Sequence, residues 1–150
     1  MPLPGELPRA YARRMADAKL AAVAQRHAGK TVLAADSVVA VGRRILPKAE
    51  SEEQARACLA LLSGRRHKVL GAVAVALPDG KLRQRLVETA VRFKRLQVPE
   101  VEAYLKSGEW RGKAGGYAIQ GRAAQFVSFL SGSYSNVVGL PLFETMALLR

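Results

Sequence analysis

The stretch from residue 67 to residue 93 constrains the fold more than any other part of this sequence. It holds two runs, 67–77 and 82–93, both rich in Val, Leu and Ala, and Pro78, Asp79 and Gly80 stand between them. Pro presets the backbone for a turn, Asp can bond its own chain two residues on, and Gly accepts a positive φ. The whole stretch therefore predicts a long antiparallel hairpin.

The segments around the hairpin alternate between helical and extended patterns. From Pro8, the spacing of Tyr11, Met15, Ala18 and Ala22 predicts a helix with those residues on its inner face, Arg9 and Arg13 on the other side and Gly29 as the stop. Thr31 to Val41 is β-branched or small and apolar on both faces, which predicts a buried strand turning at Gly42. Ser51 followed by Gln54 is a capping-box signature for a second helix, with Ala55, Cys58, Leu59 and Leu62 inward and its end at Gly64. Pro99 opens a short helix carrying Val101, Tyr104 and Leu105 and closed by Gly108. A glycine-rich stretch, GKAGGYAIQG at 112–121, leads to a strand over Ala124 to Leu130, and Pro141 opens a terminal helix with Leu142, Met146 and Leu149 as its apolar face. The sum is a single α/β domain over residues 1–150: a mixed, strongly twisted sheet flanked by helices.

Composition narrows the setting. With 150 residues and 49% hydrophobic content, one core can form without disulfides or a structural metal. The single Cys58 cannot form an internal disulfide and no Cys/His set has zinc-site spacing, so a reducing cytoplasm is expected. The first residues carry no signal-peptide pattern, and no apolar run is long enough for a bilayer, so no membrane partner is expected. The formal net charge of +12 attracts polyanions, but the 24 Lys and Arg residues are scattered from Arg9 to Arg150 rather than gathered in a basic arm. That scatter argues against nucleic acid as the partner.

Few residues break the structural pattern in a way that suggests chemistry. Asp36 lies within AADSVV, and an ionised carboxylate in a buried strand costs several kcal/mol unless a cation, a metal or hydrogen-bond donors compensate it. It is a candidate general base or metal ligand, or else a structural Asp bonded to nearby backbone. Lys113 sits among small residues, where backbone can approach a ligand and an ammonium can meet phosphate oxygens; such loops also serve as simple turns. No GxxxxGK[ST] or GxGxxG fingerprint is present. His67 at a strand start and His27 near a helix end have ordinary structural explanations, and Trp110 and Tyr117 are as well suited to core packing as to stacking on a base.

Taken in order, AADSVV at 34–39, LSGRRHKV at 62–69, GEWRGKAGGYAIQG at 108–121 and GSYSNVVGLPL at 132–142 resemble the Maf family of nucleoside triphosphate pyrophosphatases, and the match runs through almost the entire chain. The resemblance implies a Maf/ITPase-like fold and hydrolysis between the α and β phosphates of a nucleotide, giving a monophosphate and pyrophosphate with a divalent cation, Mg²⁺ or Mn²⁺. It implies Asp36 as proton acceptor, Ser37 and Gln120 in substrate choice, Lys19, Lys48 and Lys113 at the phosphates, and Asp36 with Glu109 at the metal. GYAIQG looks like the branch acting on dTTP and UTP or related modified nucleotides.

The chain also departs from the family's pattern. Leu46-Pro47-Lys48-Ala49 stands where the family usually has LGKP, so proline precedes the lysine and constrains the backbone at a different point. Gly112 replaces a frequent Asp, and the SxSPRR segment with its opening strand does not appear before Met1. That predicts an N-terminally truncated form of a longer protein, with an exposed sheet edge that favours a homodimer. Two alternatives follow: a shortened, inactive nucleotide-binding relative, or a basic nucleic-acid-binding module.

Overall fold

A computed structural model describes all residues, 1–150. The elements run α1 (Pro8–Ala24), β1 (Val32–Val41), β2 (Arg44–Leu46), α2 (Glu52–Leu62), β3 (Arg66–Ala76), β4 (Leu82–Phe93), α3 (Val98–Ser107), a 3₁₀ turn (Arg122–Phe126), β5 (Val127–Ser131), α4 (Tyr134–Val138) and α5 (Leu142–Leu149). The five strands form one sheet in the order β2-β1-β3-β4-β5. The α/β class is as expected, but every neighbouring pair is antiparallel, so the sheet is not mixed. Each of these neighbours is joined by a tight turn or by a connection that returns to the adjacent edge, which needs no parallel crossover.

The predicted hairpin is the centre of the sheet. β3 pairs with β4 from Arg66↔Arg92 to Ala76↔Leu82, and Asp79 Oδ1 accepts from the Lys81 amide in the turn between them. β3 is buried continuously from Val69 to Ala76, as an inner strand with both faces covered must be. On one face α1 packs over Ala34, Val38, Ala72 and Ala74. On the other, α2, α3 and the glycine-rich loop enclose Val39, Leu59, Val69, Val91, Phe93 and Tyr104.

Helix boundaries and stripes follow their caps where the stripe is unambiguous. Ser51 Oγ accepts from the Gln54 amide, and Ala55, Cys58, Leu59 and Leu62 are the buried face of α2. In α3, Gln97 and Glu100 form a reciprocal capping box, one turn ahead of the expected apolar residues Val101, Tyr104 and Leu105. Three expectations need correction. The buried stripe of α1 is Pro8, Ala12, Ala16 and Leu20, not Tyr11, Met15, Ala18 and Ala22. Alanines at i, i+4 let the helix backbone come close to the alanine-rich strands, which a larger stripe would prevent. The strand expected from Ala124 begins at Val127, after the 3₁₀ turn buries Ala123 and Phe126. In α5 the buried residues are Thr145 and Leu148, while Leu142, Met146 and Leu149 stay exposed. Leu148 docks on Val73 and Val75, and Arg83 Nη1 donates to the carbonyls of Leu148 and Arg150, so the helix is rotated by its end rather than by its largest residues.

Candidate active site

Asp36 sits in the middle of β1, opposite Ala72 of β3, with its side chain on the α1 side of the sheet. It is 7% exposed, so its charge needs a partner, and α1 supplies one. Lys19 Nζ donates to Asp36 Oδ1 at 2.6 Å and approaches the Ala35 carbonyl at 3.5 Å. No protein donor meets Oδ2. Ser37, the next residue, points to the opposite face beside Gly71. A cavity of 280 Å³ is lined by Ala35, Asp36, Ser37 and Val39 in near succession, residues from both faces of one strand. It therefore lies against the strand's edge, where β2 pairs only with Val39, Ala40 and Val41.

The far wall is the glycine-rich loop, fixed by a short ladder to the segment after β2. The Ala49 amide donates to the Lys113 carbonyl, the Gly112 amide to the Ala49 carbonyl and the Gly115 amide to the Pro47 carbonyl, at 3.1, 2.8 and 3.0 Å. Lys48 and Ala114 face each other in this bridge. The Pro47 carbonyl takes the Gly115 amide, so the proline is part of this ladder, and Lys48 lines the cavity beside Lys113. Gly115 has φ +68°, and a Cβ there would lie 2.8 Å from Val39 Cγ1, so glycine is what lets the loop close on β1. A second cavity of 550 Å³ adjoins and shares Asp36, Ser37, Lys48 and Ala114. The two sizes fall within the range of roughly 300–1,000 Å³ usual for small-molecule sites when taken together.

Tyr117 and Ala118 of the loop, with Val137 and Val138 of α4, complete the smaller cavity. Tyr117 and Trp110 are both core residues: the Trp110 indole donates to the Leu105 carbonyl, and the Tyr117 hydroxyl shares a 2.6 Å hydrogen bond with His67 Nε2. Burial pushes the His67 pKa down to about 4 and raises that of Tyr117, so both groups are neutral near pH 7. Residue order does not reveal this pair, although His67 is the inward residue between outward Arg66 and Lys68, a polar group at a core position.

Lys19, Asp36, Ser37, Lys48 and Lys113 are therefore gathered in one place, and two expected residues are not. Gln120 is exposed and lies outside the cavity lining. Glu109 is turned away as well: its Oε2 accepts from the Arg122 amide at 3.0 Å, capping the 3₁₀ turn, and its carboxylate lies over Gly121. A local backbone donor holds Oε2 at this place, outside the lining of the cavity that contains Asp36. No group of three His, Cys, Asp or Glu side chains is placed to hold a metal. Asp36, the one carboxylate of the smaller cavity, with Glu50 lining the adjoining one, fits a hard divalent cation that arrives on a polyphosphate and keeps most of its water, but not one caged by protein ligands.

The sequence profile described as "Maf-like protein" matches residues 2–150. The chain belongs to the Maf family. Similar Maf proteins carry the name dTTP/UTP pyrophosphatase. That of Paramagnetospirillum magneticum is 64% identical over 99% of this chain and 78% of its own length. Those of Rhodospirillum rubrum and Novosphingobium aromaticivorans are 63% and 62% identical, again over 99% of this chain and over 70% and 74% of their own lengths. In this Maf chain no helix is long and apolar enough to cross a membrane.

Proposed function

We propose that this chain is a nucleoside triphosphate pyrophosphatase that hydrolyses dTTP and UTP to the monophosphate and pyrophosphate. The observation that carries the proposal is the meeting of one buried aspartate with three lysines in a single cleft, from elements distant in sequence. The names of the relatives support the choice of substrate. The cleft's chemistry suits a polyphosphate, because phosphoryl transfer asks the protein mainly for positioning and charge neutralisation.

In this proposal Asp36 Oδ2 takes the proton of the attacking water, while Lys19 holds Oδ1 and so fixes the carboxylate plane. Lys48 and Lys113 meet the phosphate oxygens from the far wall. Water adds at phosphorus, the α–β anhydride P–O bond breaks and pyrophosphate leaves. A divalent cation with Asp36 as its protein ligand would neutralise phosphate charge. Ser37 alone carries the proposed contribution to substrate choice. The free, buried Cys58 and the nucleotide substrates support a cytoplasmic location.

The test is pyrophosphate release from dTTP and UTP with Mg²⁺. Asp36→Asn should lower kcat by about 10²–10⁴-fold, the range of a general base, while the variant still shows nucleotide-dependent thermal stabilisation. Wild-type chain that releases no pyrophosphate, or an Asp36→Asn variant as fast as wild type, sinks the proposal.

A further inference from the structure

Helix α1 covers only part of its face of the sheet. Asp17 and Arg13 bond Gln84, and one turn earlier Arg9 bonds Glu88, so the helix ends near the middle of β4. Strand alternation places Arg66 and Lys68 of β3, Arg92 of β4 and Phe129 of β5 on that same face, beyond the helix. All four are exposed, Phe129 by 50%. Arg66 and Arg92 are directly opposite each other, Arg92 is opposite Phe129, and the Arg66 guanidinium lies 5.9 Å from the Phe129 ring centroid. On the β1 side, Arg43 and Lys68 line a groove of 330 Å³.

The fold accounts for this surface only in part: Arg66 and Phe129 make a cation–π contact, weak at so exposed a site, while like charges directly opposite on neighbouring strands are destabilising. No carboxylate lies within ion-pair distance of Arg43, Arg66 or Arg92. Glu88, the acid on this face, is taken up by Arg9 and, at 3.9 Å, by Lys68. The basic residues are scattered along the chain, but pleating and pairing bring positions 43, 66, 68 and 92 to one end of one face, with Arg66 and Arg92 beside Phe129. The scatter that argued against a nucleic-acid partner is thus removed by the fold.

We propose that this open end of the sheet binds single-stranded nucleic acid, with backbone phosphates along Arg43, Lys68, Arg66 and Arg92 and one base stacked on Phe129. A cationic track combined with an accessible ring is the arrangement that holds unpaired bases, whose π-faces a duplex conceals. The surface is separate from the nucleotide cleft, since none of these five residues lines it.

The test is fluorescence anisotropy with labelled oligo-dT and oligo-U of about 20 nucleotides, alongside pyrophosphate release. Four phosphate contacts predict an affinity that falls roughly 50-fold between ~50 and ~200 mM salt. Arg92→Glu should weaken binding at least about 10-fold and flatten the salt dependence, leaving turnover unchanged; because it faces Arg66 it should also raise Tm. Phe129→Ala should weaken binding about 5-fold or more, and Phe129→Trp should retain it. The proposal is overturned by no binding at low salt, by binding that both Arg92→Glu and Phe129→Ala leave intact, or by displacement of the oligonucleotide with UTP, which would place it in the cleft. Loss of anionic-vesicle binding in Phe129→Ala without loss of oligonucleotide binding would overturn it too.

Discussion

His67 enters β3 between two exposed cations, yet its ring turns inward against Phe93 and Tyr117, with ring centroids 5.2 and 5.5 Å away, and its Nδ1 finds no partner. Desolvation disfavours the imidazolium, so the folded pKa lies near 4 against an ordinary 6.5. The unfolded chain then binds a proton that the native state rejects, and stability falls as pH drops through the window from 6.5 to 4. The loss from this one group is about 2 kcal/mol by pH 5, and none above the unfolded value. Melting curves at pH 7 and pH 5 should show a Tm drop about 4–8 °C larger for wild type than for His67→Gln, which keeps a polar side chain but cannot titrate. Equal drops in the two proteins would mean that His67 is not buried as the neutral form. At this scale the sequence was informative where a residue broke a pattern, as Asp36 does in an apolar strand. It was uninformative about Glu109, because nothing in residue order reveals that the Arg122 amide lies within reach of its carboxylate.

Helix α4 is only five residues long and has no periodicity, so in sequence the stretch around it looks like a loop. What makes it an element is Asn136, fully buried, whose Nδ2 lies 3.1 Å from the Val69 and Val87 carbonyls and 3.0 Å from Thr89 Oγ1. It ties α4 to β3 and β4 and thereby sets Val137 and Val138 against the cleft. The space it occupies exists because residue 71 is glycine: a Cβ there would come within 1.9 Å of Asn136 Oδ1. Gly71→Ala should therefore cost about 3 kcal/mol or more in urea denaturation, at the severe end for a packing clash. Asn136→Ala alone should cost about 1–3 kcal/mol through the loss of its three side-chain hydrogen bonds. The double variant should be close to Asn136→Ala, since the clash disappears with the amide; full additivity would show that the two positions do not meet. The longer elements were legible for the complementary reason. The β3–β4 hairpin and α2 have one strong pattern and a clear cap or turn, whereas α1 is alanine-rich and α5 apolar nearly all round, so tertiary contacts, not local periodicity, chose their buried faces.

For the whole molecule, a free strand edge and a large charge pull in opposite directions. β1 pairs with β3 along its length, but β2 covers only its last residues, leaving the backbone edge from Val32 to Ser37 without a strand partner. Such an edge is a template for another chain, and it is where the homodimer expected from the sequence would form. Against it stands a net charge of +12, whose mutual repulsion keeps copies apart while salt is low. At about 0.5 M salt screening shortens the reach of that repulsion to a few ångströms, while backbone pairing is little affected. Sedimentation velocity should therefore show a monomer near 50 mM salt and growing self-association towards about 0.5 M. Leu33, 37% exposed on this edge, offers the control: Leu33→Lys should remain monomeric at both salts, as edge lysines do in natural sheets. Because Ala35 and Ser37 line the nucleotide cleft from the same edge, saturating UTP should also return wild type towards monomer. Association that weakens with salt, or that Leu33→Lys leaves unchanged, would assign the contact to another surface and leave the β1 edge to the substrate alone.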